Sequence, residues 1–211
     1  MQGLIALEII EQSNEKIVTK DFLSMTEVSI EDLLRKIDIM LRSIFSELPS
    51  AIKEDLSEII VEKEIDINRL NYLALRAIRT GLSNPQYAKI IKKNSLELFE
   101  LWNIVAHLEK ISDEVRDISK MLVKNGFNDK ERRFINGLFN DLQDLYLGVM
   151  KAYYDGNTEL AYKMTVKKRS FINNTESQLS KEKCNTKFSQ IADRVVMIAK
   201  SINNIARRVY S

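Results

Sequence analysis

Apolar residues recur every three or four positions along almost all of the chain after Glu27, which is the spacing of one face of an α-helix. The first such stretch follows Ser29. This residue suits an N-cap position, because the acidic residues Glu31 and Asp32 occupy the first turn after it. The apolar positions of this stretch are Leu33, Ile37, Met40, Leu41 and Ile44. We therefore expect a long helix from Ser29 onward.

Breaker and capping residues divide the rest of the pattern into five more long helices. Proline favours the first turn of a helix and glycine favours its end. We therefore expect a second helix from Pro49 to Gly81, followed by a short helical connector that opens at Asn84-Pro85. An Asn followed three residues later by a Glu predicts a capping box at the start of the third and fourth helices. The third helix is expected to start at Asn94 and the fourth at Asn128. The breaks that end the third, fourth and fifth helices are expected at Asn125-Gly126, Asp155-Gly156-Asn157 and Lys181 to Asn185.

The N-terminal segment follows a different pattern. Leu4 to Ile10 is rich in aliphatic and β-branched residues, Ser13 to Lys16 is polar, and Ile17 to Thr19 is β-branched again. This pattern predicts a short β-hairpin. We expect it to pack on another element, because an isolated hairpin is only marginally stable in water.

The predicted elements combine into an all-α protein made of two tandem three-helix bundles. Short connections between long helices favour antiparallel neighbours, and the six helices divide into two groups of three. We expect residues 1–27 to form the N-terminal hairpin or extended segment, residues 28–126 the first bundle and residues 127–211 the second.

Composition agrees with a helical protein and removes several classes of function. Only 6 of the 211 residues are Gly and 2 are Pro, which excludes a turn-rich β-sandwich or barrel. The 32 basic and 30 acidic residues leave a net charge of +2, so no overall basic field is available to hold nucleic acid. A single cysteine, Cys184, and a single histidine, His107, exclude an internal disulfide and a multi-histidine metal centre.

The chain also lacks the signals of a membrane or secreted protein. No apolar run approaches the ~20 residues that a membrane helix needs. The start, Met1 to Ile5, carries none of the positive side chains of a secretory signal. We expect a cytoplasmic protein that does not insert into a membrane.

Two helices of the first bundle carry acidic residues four positions apart. Glu62 and Asp66 lie on one flank of the second helix, and Glu109, Asp113 and Asp117 form a line along the third. If the two flanks face each other, their carboxylates converge, and oxygen-rich clusters suit hard or borderline cations. The alternative is that both rows are ordinary solvated helix faces, screened by neighbouring Lys and Arg side chains.

The acidic rows also resemble a known family. Glu109-Lys110-Ile111-Ser112-Asp113, followed by Asp117-Ile118-Ser119, resembles the Glu-Arg-Ile-Gly-Asp…Asn-Ile-Ala signature of PhoU proteins. Glu62 to Asp66 resembles the family's second acidic motif, on the preceding helix. The segment from Gly3 to Arg35 is similar to archaeal PhoU-like proteins, where it follows an AbrB-type DNA-binding domain.

This resemblance implies a fold and a function. PhoU proteins are two tandem three-helix bundles that regulate phosphate uptake without being enzymes. They contact the phosphate ABC transporter or phosphate-signalling proteins. The family's acidic pairs hold metal ions, which implies iron, zinc or another divalent metal ion at Glu62, Asp66, Glu109, Asp113 and Asp117.

The second bundle departs from the family pattern. The positions that correspond to its acidic pairs hold Arg169, Asn173, Val196 and Lys200, so we expect no metal cluster there. We expect residues 1–211 to act by protein contact, and we expect contact with nucleic acid only through an N-terminal domain of the AbrB type, outside these residues. A homodimer is compatible with the sequence, but no residue identifies an interface.

Other functions remain as alternatives. One is a metal-free helical adaptor or the effector domain of a transcription regulator, in which the acidic rows are solvated. The less favoured one is a carboxylate-metal phosphoesterase, which would need a general base that no residue here identifies.

Overall fold

The computed structural model describes residues 7–12, 17–21, 27–123, 126–181 and 186–210. Two strands come first, and seven helices follow them along the chain. Their bounds are β1 Leu7–Gln12, β2 Ile17–Asp21, α1 Ile30–Ala51, α2 Ser57–Ser83, α3 Pro85–Ile90, α4 Ser95–Val123, α5 Asp129–Asp155, α6 Thr158–Lys181 and α7 Thr186–Tyr210. The prediction of an all-α bundle protein is confirmed, with α3 as the short helical connector.

The predicted hairpin is present. β1 and β2 pair in antiparallel fashion, with Leu7 opposite Asp21 and Gln12 opposite Ile17. The register shifts between Ile9 and Glu11, where the ladder contains an irregularity. The predicted turn, Ser13 to Lys16, and the first residues of the predicted first strand lie outside the described residues.

The six long helices share one apolar core. The helices α1, α2 and α4 contact one another, and α7 packs on both α5 and α6. Two further contacts, between α4 and α7 and between α1 and α5, join these groups. One cluster of buried apolar side chains includes members of all six, from Ile30 in α1 to Ala206 in α7. The division into two separate bundles at residue 126 stays a prediction.

One predicted helix boundary is wrong, and another lies within two residues of the observed one. Pro49 lies inside the last turn of α1 and does not start the second helix, because the apolar neighbours Leu48 and Ala51 are buried and extend α1 past it. The second helix starts instead at Ser57, whose backbone N–H and hydroxyl both donate to Asp55 Oδ1. Gly81 lies two residues before the end of α2, where a Cβ would meet Leu98 Cδ1 at 2.8 Å.

The other described caps are confirmed. Asn128 Oδ1 accepts from the backbone N–H of Glu131, and Glu131 returns a hydrogen bond to the backbone of Asn128. Asn94 and Glu97 form the same pair of bonds before α4. Gly156 ends α5 at φ 60°, a left-handed conformation that glycine adopts at little cost. Most of the last predicted break, Lys181 to Asn185, lies outside the described residues.

A buried polar contact joins α1 to α5. Asp38 is almost fully buried, and its Oδ1 accepts hydrogen bonds from the Tyr146 hydroxyl at 2.9 Å and from Arg42 Nε at 3.0 Å. Burial, followed by the charge of Asp38, raises the pKa of Tyr146 well above its ordinary value, so the hydroxyl stays protonated and donates. A buried carboxylate is costly without such partners, so this contact favours one relative position of α1 and α5.

No helix in the described part of the chain is both long enough and apolar enough to cross a membrane.

Candidate functional site: an acidic network between α2, α4 and α7

The predicted acidic line on α4 is formed as the spacing requires. Glu109, Asp113 and Asp117 follow one another at successive turns, and each side chain is partly buried. Glu109 is close enough to Asp113 for the Asp113 charge to act on it. The line is therefore a set of half-buried carboxylates and not a fully solvated face.

The carboxylate of α2 that meets this line is Glu64, which was not among the predicted residues. Its side chain is only 4% exposed. Glu64 Oε1 accepts from Arg116 Nη1 at 2.7 Å and from Asn68 Nδ2 at 2.6 Å. Glu62 and Asp66 are exposed, and Asp66 Oδ1 accepts from Arg69 Nη1 on the same helix at 2.8 Å. The structure thus brings Glu109, Asp113 and Asp117 together on α4, with Glu64 as their partner from α2.

Arg116 is the cation at the centre of these carboxylates. Its Nη1 lies 2.7 Å from Glu64 Oε1 and 2.9 Å from Asp113 Oδ1, and its Nη2 lies 3.2 Å from Asp117 Oδ1. Burial lowers the pKa of Arg116, but the charges of Glu64, Asp113 and Asp117 outweigh burial and raise it overall. One guanidinium therefore ties α2 to α4 through charge-assisted hydrogen bonds.

A second cation reaches the line from α7. Arg194 Nη1 donates to Glu114 Oε2 at 2.6 Å and lies 3.0 Å from Asp117 Oδ2. Glu114 is the more buried of these two acids, with 12% of its side chain exposed. Asp117 therefore receives one guanidinium from its own helix and another from α7, which links α7 to the acidic line.

Negative charge remains in excess in this network. Five carboxylates, from Glu64, Glu109, Asp113, Glu114 and Asp117, meet two guanidinium groups. Glu109 is in none of these five ion pairs, and its pKa is raised first by burial and then by the charges of Asp113 and Glu64. A cation beside Glu109 would therefore stabilise its ionised form.

The donor set can be compared with the needs of a metal ion. Carboxylate oxygens are suitable ligands for hard and borderline divalent ions. Asp113 and Glu64 are the two carboxylates close enough to Glu109 for their charges to act on it. Arg116 already donates to two of these three carboxylates, so a metal ion would compete with its guanidinium. Within the described ranges, no three His, Cys, Asp or Glu side chains are arranged to hold a metal ion.

Three members of the network were missed by sequence reasoning. Glu64 carried a signal, because it follows Ile60 by four residues and precedes Ile67 by three, which places it on the core side of α2. Glu114 and Arg194 carried none, since their contact joins positions 80 residues apart in the chain.

Comparisons with known proteins leave the chain unassigned. No protein-family model matches it, and no curated protein sequence is significantly similar to it.

Proposed function

We propose that the chain is a non-enzymatic, PhoU-like regulator of phosphate uptake or phosphate signalling that acts by contact with other proteins. The acidic line of α4 supports this proposal most directly. It combines the carboxylate spacing of the PhoU signature with an all-helical chain, and a partner carboxylate comes from the preceding long helix. The proposed partners are the phosphate ABC transporter or the proteins of phosphate signalling.

The proposal includes a metal ion at the acidic network. To hold it, Glu109, Asp113 and Glu64 would have to turn toward one ion, and Arg116 would have to release Glu64 and Asp113. Asp117 is the next carboxylate along α4. Iron, zinc or another divalent metal ion would add positive charge to a network in which five carboxylates are balanced by only two guanidinium groups. The test is metal analysis of protein purified without chelator, alongside a Glu109→Ala/Asp113→Ala variant. Bound metal that the variant loses supports the site.

A metal-free adaptor is the second candidate, and a specific observation favours it. Arg116 and Arg194 already donate to four of the five carboxylates, so the network has internal cations. In this candidate the guanidinium groups hold α2, α4 and α7 together, and the chain works as a rigid surface for other proteins. Absence of metal from protein purified without chelator, together with an intact regulatory response, would favour this candidate.

The regulatory proposal itself is tested in cells of the organism that encodes the chain. Deletion of the gene should raise transcription of phosphate-uptake genes in phosphate-rich medium, and the wild-type gene should restore repression. Glu109→Ala/Asp113→Ala should fail to restore it. The matched control, Glu54→Ala/Glu58→Ala, removes two exposed acids near the start of α2 and should behave like the wild type. Unchanged transcription after deletion would refute the proposal.

A further inference from the structure

Positive charge is concentrated in two segments of the chain. Residues 160–175 and 195–210 contain no Asp or Glu. Together they hold seven of the 32 basic residues, which leaves 25 basic against 30 acidic residues in the rest of the chain. The seven are Lys163, Lys167, Lys168, Arg169, Lys200, Arg207 and Arg208. The near-neutral total therefore conceals a strongly basic region.

The fold brings these two segments side by side. They belong to α6 and α7, which pack against each other, and Thr165 Oγ1 lies 3.2 Å from the Tyr210 hydroxyl. Lys168 is half-buried among other cations. Burial lowers its pKa first, and the charges of Lys200, Arg169 and Arg207 lower it further. Like charges thus gather at the junction of α6 and α7.

Carboxylates of the described residues do little to neutralise this cluster. Lys167, at its edge, lies 3.5 Å from Asp144 of α5. In the part of the chain that the structure describes, no ion pair is formed by the central four, Lys168, Arg169, Lys200 and Arg207. Clustered cations without counter-charges repel one another, so an acidic partner would gain both attraction and relief of that repulsion.

Exposed apolar side chains lie on the same two helices. Tyr162 and Val166 are one turn apart on α6, with 64% and 50% of their surfaces exposed. Val166 precedes Arg169 by three residues, and on α7 the partly exposed Met197 precedes Lys200 by three. Residues three apart share a helix face, so each helix presents an apolar side chain beside a basic one.

We propose that one surface, formed by Tyr162, Val166 and Arg169 of α6 with Met197, Lys200 and Arg207 of α7, binds an acidic amphipathic helix of a partner protein. We call it the basic face. Carboxylates of the partner pair with the three cations Arg169, Lys200 and Arg207, and its apolar side chains cover Tyr162, Val166 and Met197. Two packed helices leave a groove along their junction in which a third helix can lie.

The apolar side chains favour a protein helix over the other polyanions. A nucleic-acid backbone needs only cations, and of the three apolar side chains only Tyr162 offers a ring on which a base can stack. Val166 and Met197 have no such use in nucleic-acid binding but suit the apolar face of a helix. An anionic membrane would need a broader apolar face than three scattered side chains. The basic face lies apart from the acidic network, and this inference rests on the proposed function only in assuming that the chain acts by protein contact.

The test uses the full chain and a fluorescent peptide of about 18 residues, which spans about 27 Å as a helix. The peptide carries Glu at i and i+4 beside a Leu face, and a matched peptide carries Gln in place of Glu. Fluorescence anisotropy should show that the Glu peptide binds at low salt and that added salt weakens the complex. Lys200→Glu/Arg207→Glu should weaken binding at least about tenfold.

Two further variants control for charge and for the apolar contribution. Lys36→Glu/Lys120→Glu makes the same change in net charge at exposed positions of α1 and α4, and it should bind like the wild type. Val166→Ser, which removes apolar surface without adding a charge, should weaken binding without altering the helical circular dichroism. A DNA duplex of about 8 base pairs, which is roughly 27 Å long at about 3.4 Å per base pair, and phosphatidylserine vesicles serve as competing polyanions.

Several results would overturn this inference. They are equal binding of the Glu and Gln peptides, equal loss in the Lys36→Glu/Lys120→Glu control, or no peptide binding under any condition. Binding of DNA or vesicles in place of the peptide would equally reject it. None of these results bears on the acidic network, so an unchanged phosphate response after gene deletion would refute the proposed function separately.

Discussion

Replacing Arg116 with Met should destabilise the protein by about 2 kcal/mol. The substitution keeps a long apolar stem but removes the guanidinium, which leaves the nearly buried Glu64 without its cation. Loss of one partner from a fully buried pair costs about 3–5 kcal/mol. The other two acids, Asp113 and Asp117, are 44% and 34% exposed, so water screens them and they add little. Asn68 still donates to Glu64, which further limits the loss.

Urea unfolding, followed by far-ultraviolet circular dichroism, measures this loss. For a chain of this size, about 2 kcal/mol corresponds to a fall in Tm of about 4–8 °C. The matched control is Lys151→Met, which removes an exposed ion pair with Asp155 and should change stability by less than about 0.5 kcal/mol. Adding Glu64→Gln to Arg116→Met should recover most of the loss, because the charge left unpaired at Asp113 is exposed to water and no buried charge is left unpaired. Equal stability of Arg116→Met and Lys151→Met would refute this reasoning, as would a further loss on adding Glu64→Gln.

Three other substitutions test separate parts of the structure by the same unfolding assay. Glu109→Gln should be more stable than the wild type at neutral pH. Burial, followed by the charges of Asp113 and Glu64, raises the pKa of Glu109 in the folded state, so its ionisation disfavours folding. The difference in stability should vanish as the pH falls below the pKa of Glu109 in the unfolded chain, about 4.3. Tyr146→Phe should cost about 1–2 kcal/mol, since it removes a hydrogen bond to a buried carboxylate, whereas Tyr72→Phe at an exposed position should be neutral. Gly148→Ala in α5 should destabilise the protein by about 1–2 kcal/mol, because the added Cβ would overlap the buried Met164 side chain. Gly137→Ala in the same helix meets open space and should stabilise the protein by up to about 1 kcal/mol.

Features set by neighbouring residues could be predicted from the sequence. The capping box of Asn128 and Glu131 depends on side chains three positions apart, and both of its hydrogen bonds are formed. The line of Glu109, Asp113 and Asp117 follows from helical spacing alone. In both cases the interacting groups lie within one or two turns of the same helix.

Features set by packing between helices could not be predicted in the same way. Pro49 has a local preference for a first turn, but burial of Leu48 and Ala51 outweighs it and keeps Pro49 in α1. The family motif directed attention to Glu62 and Asp66, whereas the core side of α2 carries Glu64. The contact of Arg194 with the acidic line depends on how α7 packs on α4, which no local pattern specifies.

The most direct test of the central proposal is the rate at which cells take up radiolabelled phosphate in phosphate-rich medium. A PhoU-like regulator restrains uptake under this condition, so cells that lack the gene should take up phosphate faster than the wild type. Expression of the wild-type chain should return the rate to normal, and expression of Glu109→Ala/Asp113→Ala should not. An unchanged uptake rate in the deletion strain would contradict the account.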